Sequence, residues 1–167
     1  MNTMTPPEEV VSLFETAGWY PGRTAGGHTQ TSASHPASIV LASFNGLVVF
    51  PEGKEGLECG TGDMQFCELA NDEPRVNDWA NLLQTELIGI AECHGGNERL
   101  LIANDGRSFG LSYIHDAFYF YGDCFSEAAR KILMGQRAKP MLQPGQLSVK
   151  LYGECFERGS PDLYVRF

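Results

Sequence analysis

Apolar positions along this chain recur first at helical spacing and then in strand-like runs, with the change falling near Leu87. Val10, Leu13, Phe14 and Ala17 mark one face of a first helix. Thr5-Pro6-Pro7-Glu8 reads as its capping box, with a hydroxyl at the N-cap, prolines in the first turn and a carboxylate at N3. Gly18 is its natural stop. Ile39, Val40, Leu41 and Phe44 predict a second helix that starts near residues 34–36 and ends at Asn45-Gly46. The β-branched run 47–50 leads out of that stop and closes at Pro51, and residues 64–69 form another strand candidate. Val76, Trp79, Ala80, Leu83 and Leu87 give the buried face of a third helix, capped by Asn71 or Asp72.

Beyond that point residues 87–91, 100–103, 107–113 and 117–121 are strand candidates. Gly95-Gly96-Asn97 and Asp105-Gly106 between them supply the positive φ angles of hairpins, so an antiparallel meander of about four strands is expected. Ser126 caps a last helix with Glu127 in its first turn, Ala128, Ile132 and Leu133 inward, Lys131 near its end and Gly135 as stop. Helices and strands that are grouped rather than alternating predict the α+β class: one domain, a central antiparallel sheet flanked by helices. That domain is expected to span residues 1–140. Residues 141–167, where Pro144, Gly145, Gly153, Gly159 and Pro161 punctuate short apolar runs, are expected to be a C-terminal extension of uncertain structure.

The 167 residues favour one domain and can bury a core without disulfides or metals. At 43% hydrophobic the chain is too apolar for a disordered protein, and its unbroken apolar runs are far shorter than a membrane span. Twelve basic residues against twenty-one acidic ones give a formal charge of −9, which repels phosphate and anionic lipid. No nucleic-acid or membrane partner is therefore expected. The charge suits a basic partner, and it equally serves plain solubility. Five cysteines without a C-x-x-C pair, and a start lacking the basic-then-apolar pattern of a secretory signal, lead to an expectation of reduced thiols in the cytoplasm.

Catalytic signatures are missing. There is no P-loop, no G-x-G-x-x-G and no G-x-S-x-G. Cys93-His94 is the one adjacent Cys/His pair, and strand neighbours point to opposite faces. His28 and His35 lie in a polar stretch, and His115 with Asp116 sits between two strands. Structural or solvated histidines outweigh ligands and bases, so no catalytic, metal or cofactor-binding residue is assigned and no cofactor is expected. A small hydrolase or deaminase using Cys93, His94 or His115 stays as the lesser reading. Trp19, just past a helix stop, is read as a core or turn residue, with Pro21-Gly22 fixing the turn.

Two features point to a protein interface instead. Residues 52–63 carry four glycines and the acids Glu52, Glu55, Glu58 and Asp63, and read as a mobile surface loop. Phe118-Tyr119-Phe120-Tyr121 places the phenylalanines on one face of a strand and the tyrosines on the other. With the phenylalanines inward, Tyr119 and Tyr121 would face solvent as interface residues; the other reading puts both beneath a helix.

Taken in order, the motifs resemble the SUKH superfamily of immunity proteins, in its third subfamily. They are Ala17-Gly18-Trp19-Tyr20-Pro21-Gly22-Arg23; Ser43-Phe44-Asn45-Gly46-Leu47; the 87–92 strand with Gly95-Gly96; Leu100-Leu101-Ile102-Ala103-Asn104-Asp105-Gly106-Arg107 with Phe109-Gly110-Leu111; and Tyr121-Gly122-Asp123 with the helix ending at Gly135. The resemblance covers roughly residues 7–136. It departs at Asn45, where a second glycine is common but where asparagine also enters the left-handed region. The tail after Pro140 has no counterpart. The resemblance implies an α+β fold without catalysis and stoichiometric neutralisation of a cognate bacterial toxin domain, a nuclease or deaminase, inside the producing cell. The expected contact surface is Glu52, Glu55, Glu58 and Asp63 with Tyr119, Tyr121 and Asp123, facing a basic toxin domain. A regulatory or scaffold module of the same fold is the second reading.

Overall fold

In the computed structural model, which describes residues 3–26 and 30–165, seven strands follow one another in chain order across one antiparallel sheet. They are β1 (Val48–Val49), β2 (Met64–Phe66), β3 (Leu87–Cys93), β4 (Glu98–Ala103), β5 (Ser108–Ser112), β6 (Ala117–Gly122) and β7 (Lys139–Met141). The expected four-strand meander is β3 to β6, and the two earlier strand candidates and β7 extend it at both edges. Its tight turns use left-handed backbone where anticipated, at Gly95, Gly96 and Gly106, and also at His94.

The helices are α1 (Val11–Thr16), preceded by a 3-10 turn at Glu8–Val10, then α2 (Pro36–Phe44), α3 (Pro74–Leu83) and α4 (Phe125–Met134). Their caps differ from expectation. Thr5 forms no capping box, because Pro7 holds the chain extended at the N-cap of the 3-10 turn. The Nδ1 of His35 accepts the Ala37 N–H at 3.1 Å and caps α2, with Pro36 at N1. Glu73, rather than Asn71 or Asp72, caps α3 by accepting the Arg75 N–H at 3.2 Å. Leu87 lies beyond that helix and opens β3. Cys124 sits at the N-cap of α4 without a side-chain bond, while Glu127 in its first turn accepts the Asp123 N–H at 3.0 Å. His28 lies outside the described residues.

Both faces of the sheet are covered. One face packs against α1, α2 and α4 through a core that includes Phe14, Phe44, Phe66, Phe125, Leu100, Ile102, Tyr119 and Tyr121. The other packs against α3 through Val76, Trp79, Leu83, Leu101, Phe109, Leu111 and Phe118. Two covered faces explain why β4 runs apolar without alternation from Leu100 to Ala103. Trp19 is buried in the larger core, the place its position after the helix stop called for.

The C-terminal residues join this body. β7 pairs with β6, matching Phe118 to Met141 and Phe120 to Lys139. A separate hairpin of β8 (Ser148–Leu151) and β9 (Glu154–Glu157) follows, and its Val149, Leu151 and Phe156 enter the larger core together with Leu163. Residues 141–167, expected as an extension of uncertain structure, thus supply the last residue of the edge strand β7, the β8–β9 hairpin and part of the core.

Candidate functional site

The loop 52–63 is built onto the C-terminal end of α4. Leu57 N–H donates to the Met134 carbonyl at 2.9 Å, Glu58 and Cys59 N–H both donate to the Gly135 carbonyl, and Gly62 N–H donates to the Ile132 carbonyl at 3.0 Å. These are the carbonyls that a helix end leaves without intrahelical partners. Inside the loop, Glu55 and Gly60 bridge, and the Thr61 hydroxyl donates to the Gly53 carbonyl. The segment expected as a mobile surface loop lies at the surface and is docked by its backbone, with its side chains Glu52, Glu55 and Glu58 exposed.

Glycine permits this docking at one point. A Cβ on Gly56 would collide with the Cys59 carbonyl and the Gly135 Cα, and would lie 2.8 Å from the Met134 carbonyl. Gly56→Ala should therefore push the loop off α4 at a cost of about 1–3 kcal/mol. Amide hydrogen exchange at Leu57, Glu58 and Cys59 should accelerate while the far-UV spectrum holds. Unchanged exchange there would mean that the loop and helix end have room to spare.

On the sheet, Tyr119 and Tyr121 are not the solvent-facing pair proposed for the interface. Both are buried on the α4 side, at 4% and 3% exposure. The reason is that α4 covers this side while α3 packs on the other, over a buried Phe118 and a partly buried Phe120, so the strand has no solvent-facing side. The ring positions follow from Gly110 of β5, which pairs with Tyr119. A Cβ there would lie 2.8 Å from the Tyr121 ring and strike the Tyr119 ring, so its absence lets both tyrosines lean across β5 towards β4.

What they reach is Glu98, the first residue of β4, only 3% exposed. The Tyr119 hydroxyl donates to its Oε2 and the Tyr121 hydroxyl to its Oε1, the latter at 2.8 Å. His94 Nε2 stands 3.5 Å from Oε2. Burial pushes the Glu98 carboxyl up to about 7 against the pull of the two tyrosine bonds, and burial also holds His94 below its ordinary value. These groups close one end of a cavity of about 410 Å³. Its walls bring Cys59 and Gly60 of the docked loop, Lys131 and Ile132 of α4, and Tyr152 of the β8–β9 turn. Gln136 also lines it, with its Oε1 buried and making no hydrogen bond to described residues.

Chemically this cavity can hold a proton near neutral pH or receive a hydrogen-bond donor, but it lacks an activated nucleophile. Burial raises the Cys59 thiol and the phenols of Tyr119, Tyr121 and Tyr152. Cys93 is fully buried and its thiol is driven well above the ordinary range, so the lesser, hydrolase reading has no thiolate there. Among the described residues no group of three or more His, Cys, Asp or Glu is placed to hold a metal ion.

The seven residues expected at the interface fall in three places. Glu52 and Glu55 border a second cleft, of about 280 Å³, that also holds Glu9. Glu58 accepts the Arg137 N–H at 2.7 Å, and Asp63 Oδ1 accepts the Gly95 N–H at 2.7 Å, tying the loop's end to the β3–β4 turn. Tyr119 and Tyr121 form the cavity's inner wall. Asp123 is exposed at the opposite end of α4 from Glu58, roughly 15 Å away for ten helical residues. Glu98 itself was missed. The signal was present: positions 98, 100 and 102 share one face, and a carboxylate on an otherwise apolar stripe marks a buried polar group.

Residues 6–135 match the model of the family described as SUKH-3 immunity protein. No curated protein and no solved structure matches the chain. The matched span runs from the turn before the first helix to Gly135, the stop of α4, and takes in the docked loop and Glu98 with its two tyrosines, while Gln136, β7 and the β8–β9 hairpin, which completes the cavity wall, lie beyond it. On that match, which covers well over half of its length, the chain belongs to the SUKH superfamily of immunity proteins.

Proposed function

We propose that this protein is a member of the third SUKH subfamily that neutralises a cognate bacterial toxin domain, a nuclease or deaminase, by stoichiometric binding in the cytoplasm of the producing cell. Family membership supports the protein-binding role, and one structural observation favours the electrostatic form of it. A loop with three exposed carboxylates is fastened by its backbone to α4, on a chain of net charge −9. A fixed anionic surface steers a basic partner and loses little freedom on contact. Toxin domains that hold phosphate are basic around their active sites, so an acidic inhibitor directed there blocks access sterically.

Co-expression with the product of the adjacent toxin gene tests this directly. Growth should be rescued, and an equimolar complex should survive purification. With Glu52, Glu55 and Glu58 all changed to lysine, association at low salt should slow by about tenfold or more and lose most of its salt dependence. Unchanged association kinetics would remove the loop from the interface. A stable complex with a different polypeptide, and no rescue, would point instead to the regulatory or scaffold module.

A further inference from the structure

We propose that the cavity ending at Glu98 is a receptacle for one cationic side chain of the partner, a guanidinium or ammonium head on an aliphatic stem. That the cation comes from a toxin rests on the immunity reading; the preference of the cavity for a cation on an apolar stem does not.

The chemistry of the walls favours such an occupant. Glu98 is a carboxylate with two oxygens, each accepting one tyrosine hydroxyl, whereas an ionised carboxylate accepts about four hydrogen bonds. Among the described residues its one basic neighbour within ion-pair distance is His94, at 3.5 Å, which burial keeps neutral near pH 7. Lys131 lines the same cavity, with its Nζ engaged by the Tyr121 carbonyl at 2.7 Å rather than by Glu98. The buried Gln136 Oε1 is a second acceptor in need of a donor. A group made only of N–H donors and positive charge supplies what such acceptors lack. The same walls carry Ile114, Ile132, Leu151 and the Tyr152 ring, apolar surface against which an aliphatic stem can pack. The volume of about 410 Å³ equals about fourteen waters at roughly 30 Å³ each, ample for such a side chain.

Position joins the cavity to the acidic loop. Cys59 and Gly60 form part of its wall, one residue from the exposed Glu58. A basic partner drawn to the loop therefore arrives beside the opening. The groups facing Glu98 or the cavity are His94, Tyr119, Tyr121, Cys59, Lys131, His115 and Tyr152. Glu98 gains its charge as pH rises through about 7, so cation uptake should strengthen across that range.

The test uses the purified protein and small probes. N-butylguanidinium and n-butylammonium are titrated at pH 8 by NMR, with neutral N-butylurea as the isostere. Both cations should saturate with shifts at the amides of Asn97, Glu98 and Gln136, and butylurea should bind at least about tenfold more weakly. Glu98→Gln should lose about tenfold or more while remaining folded. Lowering the pH to 6 should weaken the cations about tenfold, one pH unit below the midpoint of Glu98. Equal binding of butylurea, an unaffected Glu98→Gln, or no saturable shift would each overturn the receptacle. Because no toxin is present, failure here leaves the immunity reading intact, and failure of growth rescue leaves this result intact.

Discussion

At pH 8.5, Glu98→Gln should resist urea better than the unsubstituted chain by about 3 kcal/mol, and at pH 4.5 the two should be nearly alike. Glu98 titrates near 7 in the folded protein because burial opposes its charge, against an ordinary carboxyl value of 4.5. Below 4.5 both the folded and the unfolded chain hold the proton. Between 4.5 and 7 only the folded chain keeps it, so folding takes up a proton and stability falls as pH rises. Above 7 both are ionised and the loss is complete. A gap of about 2.5 pH units, at 1.36 kcal/mol each, sets the size of the effect. Glutamine keeps the shape and stays neutral, and a tyrosine hydroxyl can turn to accept from its amide. Glutamine removes this titrating carboxyl, so the pH dependence of the difference reports on Glu98 together with the phenols and thiols its charge reaches. A gap of the same size at both pH values would show that packing, rather than charge, separates the two.

That stability penalty bears on function. A carboxylate held in a largely apolar cavity at a cost of a few kcal/mol, where glutamine would serve the fold better, is the mark of a group kept for contact with something else. It also separates the two acidic features of this molecule. On the proposed function, the exposed Glu52, Glu55 and Glu58 would act at long range on the rate of encounter, and the buried Glu98 would act on what enters the cavity.

Local chemistry was legible where it alone decides the backbone. Pro36 with Asn45-Gly46 bounded α2, Gly95-Gly96 and Asp105-Gly106 placed the hairpins, and Gly135 ended α4. The caps were less so, because any acceptor that comes within reach of a free N–H will serve, as Glu73 and His35 do. The alternation at 118–121 left two readings open, and the one that puts Tyr119 and Tyr121 beneath a helix is what the structure shows. Phenylalanines at 118 and 120 correctly signalled a buried face, but nothing in their alternation told that α4 would cover Tyr119 and Tyr121 as well. Likewise the glycines and acids of residues 52–63 spelled a loop, and only the meeting of Gly56 with Gly135 turned it into a docked one.

Phe44→Ala should be the most damaging single truncation, lowering stability by about 3–5 kcal/mol. The ring is fully buried, with its centroid 5.1 Å from Phe14, 5.4 Å from Phe66 and 5.3 Å from Phe125. Those partners belong to α1, β2 and α4, so one side chain of α2 fastens three other elements to each other. Truncation removes the transfer free energy of the ring and leaves a cavity that four elements border and none can fill alone. Well-oriented aromatic pairs such as these are worth about 0.5–1.5 kcal/mol beyond the area they bury. Domains of this size are stable by about 5–15 kcal/mol, so the loss is a large share of the whole. In urea the midpoint should drop with an unchanged slope, whereas Phe50→Ala, whose ring is 64% exposed just past β1, should move it by less than about 0.5 kcal/mol. A loss below about 1 kcal/mol at Phe44 would mean that α1, α2 and α4 are held to the sheet by something other than this aromatic cluster.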